Sequence, residues 1–553
     1  MSERSEHARA ATREATEVPE GSGTVRAAMG MGAITAVSRV VGFLRVLVVG
    51  AVLGIGALGD AFQSANSLSN VLFELLAAGA LSSVLVPAFV RLLDNGDDVG
   101  AEEVAGGVLG LALAGLGALV LIGVLAAPGL AWILTHSAHD GDAQRDLVTF
   151  LLRLFLPQVV MYAAGTVATG VLYAKRRFLA TAAAPIGNTV VMVASLALFR
   201  VVAGPNPRLE DITTGERWIL VAAGTGGVVA FVGILLVACR ASGFHLRPRW
   251  PGRDRRVAEV GRAAGWGVVL HSCAGAILGG VNVAASGVDG SVVAYQIAWV
   301  FFLAPYGILA QPIHTAILPE LVTEAADGDL ARFRTSVRWA LERMALTILP
   351  VAVALAALGG PAMRLVASVV DSTGDGDSFL GAALATLAIG LFPYSAFLML
   401  ARAYYAIDDS RTPGLVSLGV AATGLGILAV GAPLTESTAR VTVMGLAHST
   451  AYLVGMVALL IGLSRKAGGS ILPRPVVAMA GASAATAAVV WFASDRLLSS
   501  RTGLLADAVV ATVLTVLGAA GLFVAYRVSG IGDRLTRRDG TAPGDGAVDA
   551  VVP

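Results

Sequence analysis

Residues 103–133 read EVAGGVLGLALAGLGALVLIGVLAAPGLAWI. After Glu103 no side chain in this run ionises, and the run exceeds the roughly 20 apolar residues that a helix needs to cross about 30 Å of hydrocarbon. Its apolar character is continuous rather than alternating, which reads as a membrane helix and not as a barrel strand of about ten residues. Thirteen further stretches share the property, near 27–54, 62–92, 147–173, 179–203, 217–239, 259–287, 291–318, 334–359, 379–406, 413–433, 441–464, 474–494 and 504–526. Only 14% of the 553 residues are charged, against about 25% in soluble domains. The expected fold is an all-α polytopic membrane protein with about 14 transmembrane helices.

Orientation follows from the basic residues, which favour the cytoplasmic side. With the N-terminus inside, the inner loops hold Lys175-Arg176-Arg177, then Arg240, Arg247, Arg249, Arg253, Arg255, Arg256 and Arg262, and later Arg332, Arg334, Arg411, Arg465 and Lys466. The outer loops hold only Arg145, Arg208, Arg217, Arg364, Arg440, Arg496 and Arg501. Both termini are therefore expected in the cytoplasm of a bacterium, with the chain in its cytoplasmic (inner) membrane. Residues 1–24 are polar, mix Arg with Glu and lack the apolar core of a signal peptide. They are expected to be disordered, as is the Gly- and Asp-rich tail 528–553. Cys239 and Cys273 have no metal-ligand spacing and read as small packing residues. The basic residues line the membrane boundary rather than one face of a soluble domain, so no nucleic-acid partner is expected.

An internal repeat divides the spans. Span 2 ends Val84-Leu85-Val86-Pro87 and span 8 ends Ala316-Ile317-Leu318-Pro319; span 4 opens Leu154-Phe155-Leu156-Pro157 and span 10 opens Gly390-Leu391-Phe392-Pro393. Each proline pair is six spans apart. We read two six-helix pseudo-repeats, an N-terminal bundle over 25–240 and a basic loop plus C-terminal bundle over 241–464, with two appended helices over 465–527. An even number of spans per repeat places the pseudo-twofold axis along the membrane normal, an arrangement of transporters that rock two halves about a central site.

The ionisable residues inside the spans carry the chemistry. Arg39 and Arg45 lie in span 1, where a central charge costs roughly 2.5–3.5 kcal/mol on insertion scales. Ser38 and Arg45 are seven apart and share a helix face. A guanidinium fork suits phosphate or carboxylate, so these residues point to an anion-binding cavity; the alternative is a structural ion pair. Glu74 in span 2 falls at a depth where it would pair with one of the arginines. Asn66 and Asn70, one turn apart, would line the cavity or bond between helices. His271, His314 and His448 read either as proton-coupling groups or, preferably, as uncharged rings satisfied by a neighbouring helix. Arg338, Glu342 and Arg343 read as an i,i+4 ion-pair set. No phosphate-binding loop, metal-binding His-Glu-x-x-His or nucleophile elbow is present in the sequence, so the chain reads as a transporter, with no catalytic residues, metal or cofactor. Membrane potential or a monovalent ion remains open as the coupling source.

Met29-Gly30-Met31-Gly32 together with Ser38-Arg39-Val40-Val41-Gly42-Phe43-Leu44-Arg45 resembles the first span of the MurJ/MviN lipid II flippases of the MOP exporter superfamily. So do Gly59-Asp60-Ala61-Phe62, Asn70 with Gly79-Ala80, and Tyr405-Ala406 with Asp409 and Arg411-Thr412-Pro413. The resemblance runs over about 25–527 and includes the six-plus-six-plus-two layout. It implies export of undecaprenyl-linked disaccharide-pentapeptide by alternating access through a cationic cavity, for peptidoglycan synthesis. Ser38, Arg39, Arg45 and Asn70 would bind the substrate, with Asp60, Asn66 and Glu74 shaping cavity and outer gate. The implied partners are the lipid-linked precursor, membrane lipids and cell-wall synthesis or division proteins. The sequence departs from the family at Phe73 and Val300, where cavity arginines are found, and at Ala78, where an acidic residue is found. Two alternatives follow: a MOP exporter of another polyprenyl-linked glycan or small molecule, or a transport-inactive paralogue acting as a cell-wall scaffold.

Overall fold

The computed structural model describes residues 41–80, 86–138, 141–205, 207–250, 255–370 and 376–498, with isolated positions between 513 and 526. Every long element among them is a helix. In the first half these are α1 (Val41–Leu53), α2 (Ala57–Ala80), α3 (Val86–Asp94), α4 (Asp98–Leu125), α5 (Ala127–Leu134), α6 (Gly141–Phe155), α7 (Gln158–Ala174), α8 (Phe178–Ala203) and α9 (Thr214–Ala241). The second half holds α10 (Arg255–Ala284), α11 (Ser291–Ala326), α12 (Leu330–Val370), α13 (Gly376–Ile389), α14 (Leu391–Ala406), α15 (Arg411–Leu434), α16 (Ser437–Lys466) and α17 (Arg474–Leu498). Eight helices are long and apolar enough to cross a membrane, and the bent pair α13–α14 makes a ninth, among the described residues. Shorter apolar helices at Val41–Leu53, Val269–Ala284 and Arg474–Val490 fall in the expected spans 1, 7 and 13. Span 14, at 504–526, falls almost wholly outside the described residues, so the expected count of 14 goes beyond what they carry.

Local sequence sets the helix limits. Asp97 Oδ1 accepts the Gly100 N–H at 2.8 Å and opens α4. Thr213 and Glu216 form a reciprocal capping box that opens α9. Span 4 is broken between α6 and α7 at Leu156-Pro157, because Pro157 has no N–H to continue the ladder. Span 10 is broken at Gly390, three residues before Pro393, and its halves meet at 44°. The Pro157 and Pro393 pair of the repeat therefore lies at or within three residues of matching breaks, whereas Pro319 lies inside a continuous helix.

Packing against lipid gives helices no hydrophobic reason to associate, so close approach through small residues carries more of the contact. A Cβ at Gly165 would lie 3.3 Å from Phe231 and Val232, and one at Gly455 would run into Val420 and lie 3.0 Å from the Phe397 ring, so neither helix could approach as closely with a side chain there. The buried apolar side chains fall into separate clusters. The largest gathers Phe302, Leu341, Leu384 and Tyr404 from the second half; two others gather Phe62, Leu151 and Phe199, and Phe89, Leu172 and Leu235, from the first. Helix α1 contributes to both sides: Val49 and Leu53 join the first half, Val46 and Leu47 the second. It lies on the seam between the bundles.

Polar ties distinguish the two ends of the molecule. At the end formed by residues 54–56, 135–138 and 285–290, hydrogen bonds cross the seam: Ser137 N–H donates to Ser286 Oγ at 2.9 Å, and Asp60 accepts from the second half. We call this the clasp end. The opposite, basic end carries Lys175–Asp98 at 3.6 Å and Lys466–Asp409, each within one half, and Arg249–Glu103 at 3.3 Å, which ties the basic loop after α9 back to α4.

Candidate functional site

Arg45 lies on the seam. Phe43 packs edge-on against Phe301 of α11, ring centroids 4.8 Å apart, and Gly50, seven residues on and therefore on the same face, is close to Val370 and Ile297 of the second half. Arg45 is two residues, about 200°, round the helix from Phe43. Its charge accordingly acts across the first half, where it interacts with Tyr162 of α7. Arg45 as a whole is half-buried, and no carboxylate lies within ion-pair distance of it among the described residues. Ser38 and Arg39 lie outside the described residues, and the side chains of Asn70 and Glu74 do too, although their helix α2 is described. Asn66 is partly buried on α2. At the next residue of α2, Ser67 Oγ accepts from Gln296 Nε2 at 2.9 Å and joins α2 to α11.

Asp60 forms the clasp. Its Oδ2 accepts the Gly290 N–H at 2.7 Å and its Oδ1 the Val293 N–H at 3.0 Å. These amides belong to the first turn of α11, which has no intrahelical acceptors for them and carries the positive end of the helix dipole. One carboxylate on the first half thus caps a helix of the second. Gly290 makes the approach: its φ of 87° is a left-handed conformation that glycine adopts without strain, and Ile55 leaves no space for a Cβ there.

Two expectations are corrected. His448 is buried, but its Nε2 has no hydrogen-bond partner among the described residues; Trp299, Phe302, Tyr394 and Tyr452 pack around the ring. Arg343 does not join an ion-pair set with Glu342 and Arg338 among the described residues but lies over the Trp339 ring, 5.6 Å from its centroid. Both exchanges substitute an aromatic face for a charge or dipole. Sequence reasoning also missed Tyr162, the Ser67–Gln296 pair and the amide partners of Asp60. The Ser67–Gln296 pair had a signal, two polar residues at similar depth in spans 2 and 8; backbone amides had none. Val300, where a cavity arginine is expected, adjoins Phe301 in the apolar contact with Phe43.

The helical architecture is shared with known proteins. Residues 49–516 match the family described as lipid II flippase MurJ. The chain belongs to this family. A relative from Rhizobium tropici, named as a probable lipid II flippase MurJ, is 26% identical over 395 residues, 69% of this chain and 71% of its own. A solved structure of lipid II flippase MurJ in an inward closed conformation superposes with a TM-score of 0.69 at 17% identity, covering 90% of this chain and 99% of that one. An inward-facing multidrug-resistance MATE transporter of the MOP superfamily shares the fold at a TM-score of 0.63 and 14% identity, covering 77% and 94%. Ser38, Arg39 and Arg45 precede the residues matched to the family, whereas Asp60, Asn66, Asn70 and Glu74 fall within them.

Proposed function

We propose that this chain flips undecaprenyl-linked peptidoglycan precursor, lipid II, from the inner to the outer leaflet of the bacterial cytoplasmic membrane by alternating access. The observation that carries the reading is the position of Arg45: a cation without a carboxylate partner among the described residues, on the seam between two bundles that are hydrogen-bonded to each other at one end. The basic end faces the cytoplasm, by the charge rule that favours Lys and Arg on that side, and both termini lie there. The clasp end then faces outward, and a closed outer clasp is what a protein loading cargo from the cytoplasm requires. The pyrophosphate is held by Arg45 with Ser38 and Arg39, while Asn66, Asn70 and Glu74 shape the cavity and Asp60 holds the outer gate. The polyprenyl tail stays in lipid beside the cavity. The chain acts as a transporter, not an enzyme.

A bacterium depleted of its own lipid II flippase tests this. Expression of the wild type restores growth and wall synthesis. An Arg45→Ala variant present in the membrane at normal abundance does not, because losing a charge-assisted contact costs about 1.5–3 kcal/mol, roughly ten- to over a hundredfold in affinity. Failure of the wild type to rescue, despite correct insertion, refutes the reading.

A further inference from the structure

We propose a second lipid site at the clasp end: a crevice between α10 and α15 that holds one anionic phospholipid, its phosphate on Arg440. The crevice has a volume of about 650 Å³, within the range of pockets that enclose small ligands, about 300–1,000 Å³. Its walls are apolar, with Leu425, Leu428 and Ala429 among them, and His136, Ser137 and Arg440 stand at its polar mouth. Arg440 is built into place. Its Nη1 donates to the Ser286 carbonyl at 2.6 Å and its Nε to the Thr435 carbonyl at 2.9 Å. Both acceptors are neutral, and no carboxylate lies within 4.0 Å of it among the described residues. The site therefore keeps a full positive charge while two of its donors fix the guanidinium plane.

Three features select the occupant. Apolar walls beneath a fixed cation match an acyl chain beneath a phosphate, and basic pockets between membrane helices take anionic headgroups. The crevice opens sideways to lipid: Leu425 is exposed on its wall, Leu434 beside its lining residue Pro433, and Trp132 one turn before His136. An exposed tryptophan marks the headgroup level, where its amphipathic ring is favoured. The crevice also touches the tie between the halves, since Ser286 accepts the Ser137 N–H through its hydroxyl and the Arg440 guanidinium through its carbonyl. A phosphate on Arg440 sits against the loops that must separate when the clasp opens.

The inference does not depend on the cargo of the transporter, and its test reads lipid retention rather than rescue. Full-length protein purified in detergent is exchanged against phosphatidylglycerol or phosphatidylcholine of matched acyl chains and analysed by native mass spectrometry. The wild type is expected to retain one phosphatidylglycerol in preference to phosphatidylcholine. Arg440→Gln should lower that preference about ten- to a hundredfold. Ala429→Trp, which fills the crevice and leaves Arg440 in place, should lower retention of phosphatidylglycerol and decides the matter if Arg440→Gln does not fold. Equal retention of the two lipids by the wild type, or retention of phosphatidylglycerol by both variants as by the wild type, overturns the proposal. A polyprenyl diphosphate that displaces phosphatidylglycerol at equal concentration, and does so through Arg440, reassigns the crevice to cargo and overturns it as well.

Discussion

Three residues set the terms at the smallest scale. Arg45 offers a planar, permanently charged fork, and an ammonium cannot make the same two-point contact. Arg45→Lys is therefore expected to rescue a flippase-depleted strain poorly at normal abundance, and rescue equal to wild type would remove the bidentate role. Asp60 accepts two amides across the seam, each charge-assisted bond contributing about 1.5–3 kcal/mol. Asp60→Ala should shift the conformational equilibrium away from the clasped state by more than about tenfold, read as faster modification of a cysteine placed at Val288 by an impermeant reagent. Asp409, in the loop after α14, is different in kind. Burial pushes its carboxyl up, but hydrogen bonds from Lys466 and Thr412 outweigh this and hold it below the ordinary carboxylate range. A depressed value means stability that is present above the unfolded carboxylate value, about 3.9, and is lost as pH falls through the lower folded one. Asp409→Asn should thus reduce thermal stability at pH 7 and make progressively less difference on acidification; a pH-independent loss would place the effect elsewhere.

At the scale of the helix, the sequence was most readable where lipid is the solvent. Hydrocarbon leaves backbone groups no partner but the helix itself, so long apolar runs could be nothing else, and the breaks of spans 4 and 10 were marked by Pro157 and Pro393. The contacts between helices were less readable, because they depend on absent side chains. Gly445 shows this: a Cβ there would run into the Thr386 side chain and approach the Leu387 amide nitrogen at 3.2 Å. Gly445→Val is expected to destabilise the α13–α16 contact by about 1–3 kcal/mol, the usual cost of overpacking, measured as a lower melting temperature in detergent. Least readable was the candidate site. Arg45 and Asp60 stood out as charges in apolar surroundings, whereas the partners of Asp60 are main-chain amides and those of His448 are rings that look like ordinary core residues.

For the whole molecule, the matching proline breaks and the even number of spans per repeat predict that the two halves superpose by rotation about the membrane normal. Cysteines at 94–100 and 247–250 should be labelled only from the cytoplasm; labelling from outside intact cells would reverse the assignment of clasp and basic ends. The clasp has a further consequence. On the first half it requires one carboxylate, but on the second, beyond a glycine at 290, it requires only the free amides of a helix start, which almost any residue supplies. Substitution along the start of α11 can therefore proceed without a matching change at Asp60, and a search for correlated positions should find Asp60 without a partner. The two halves are, in this respect, interchangeable parts. A chimaera joining the first half of this chain to the second half of a relative should close its clasp, provided that position 290 of the join is glycine and position 293 is not proline.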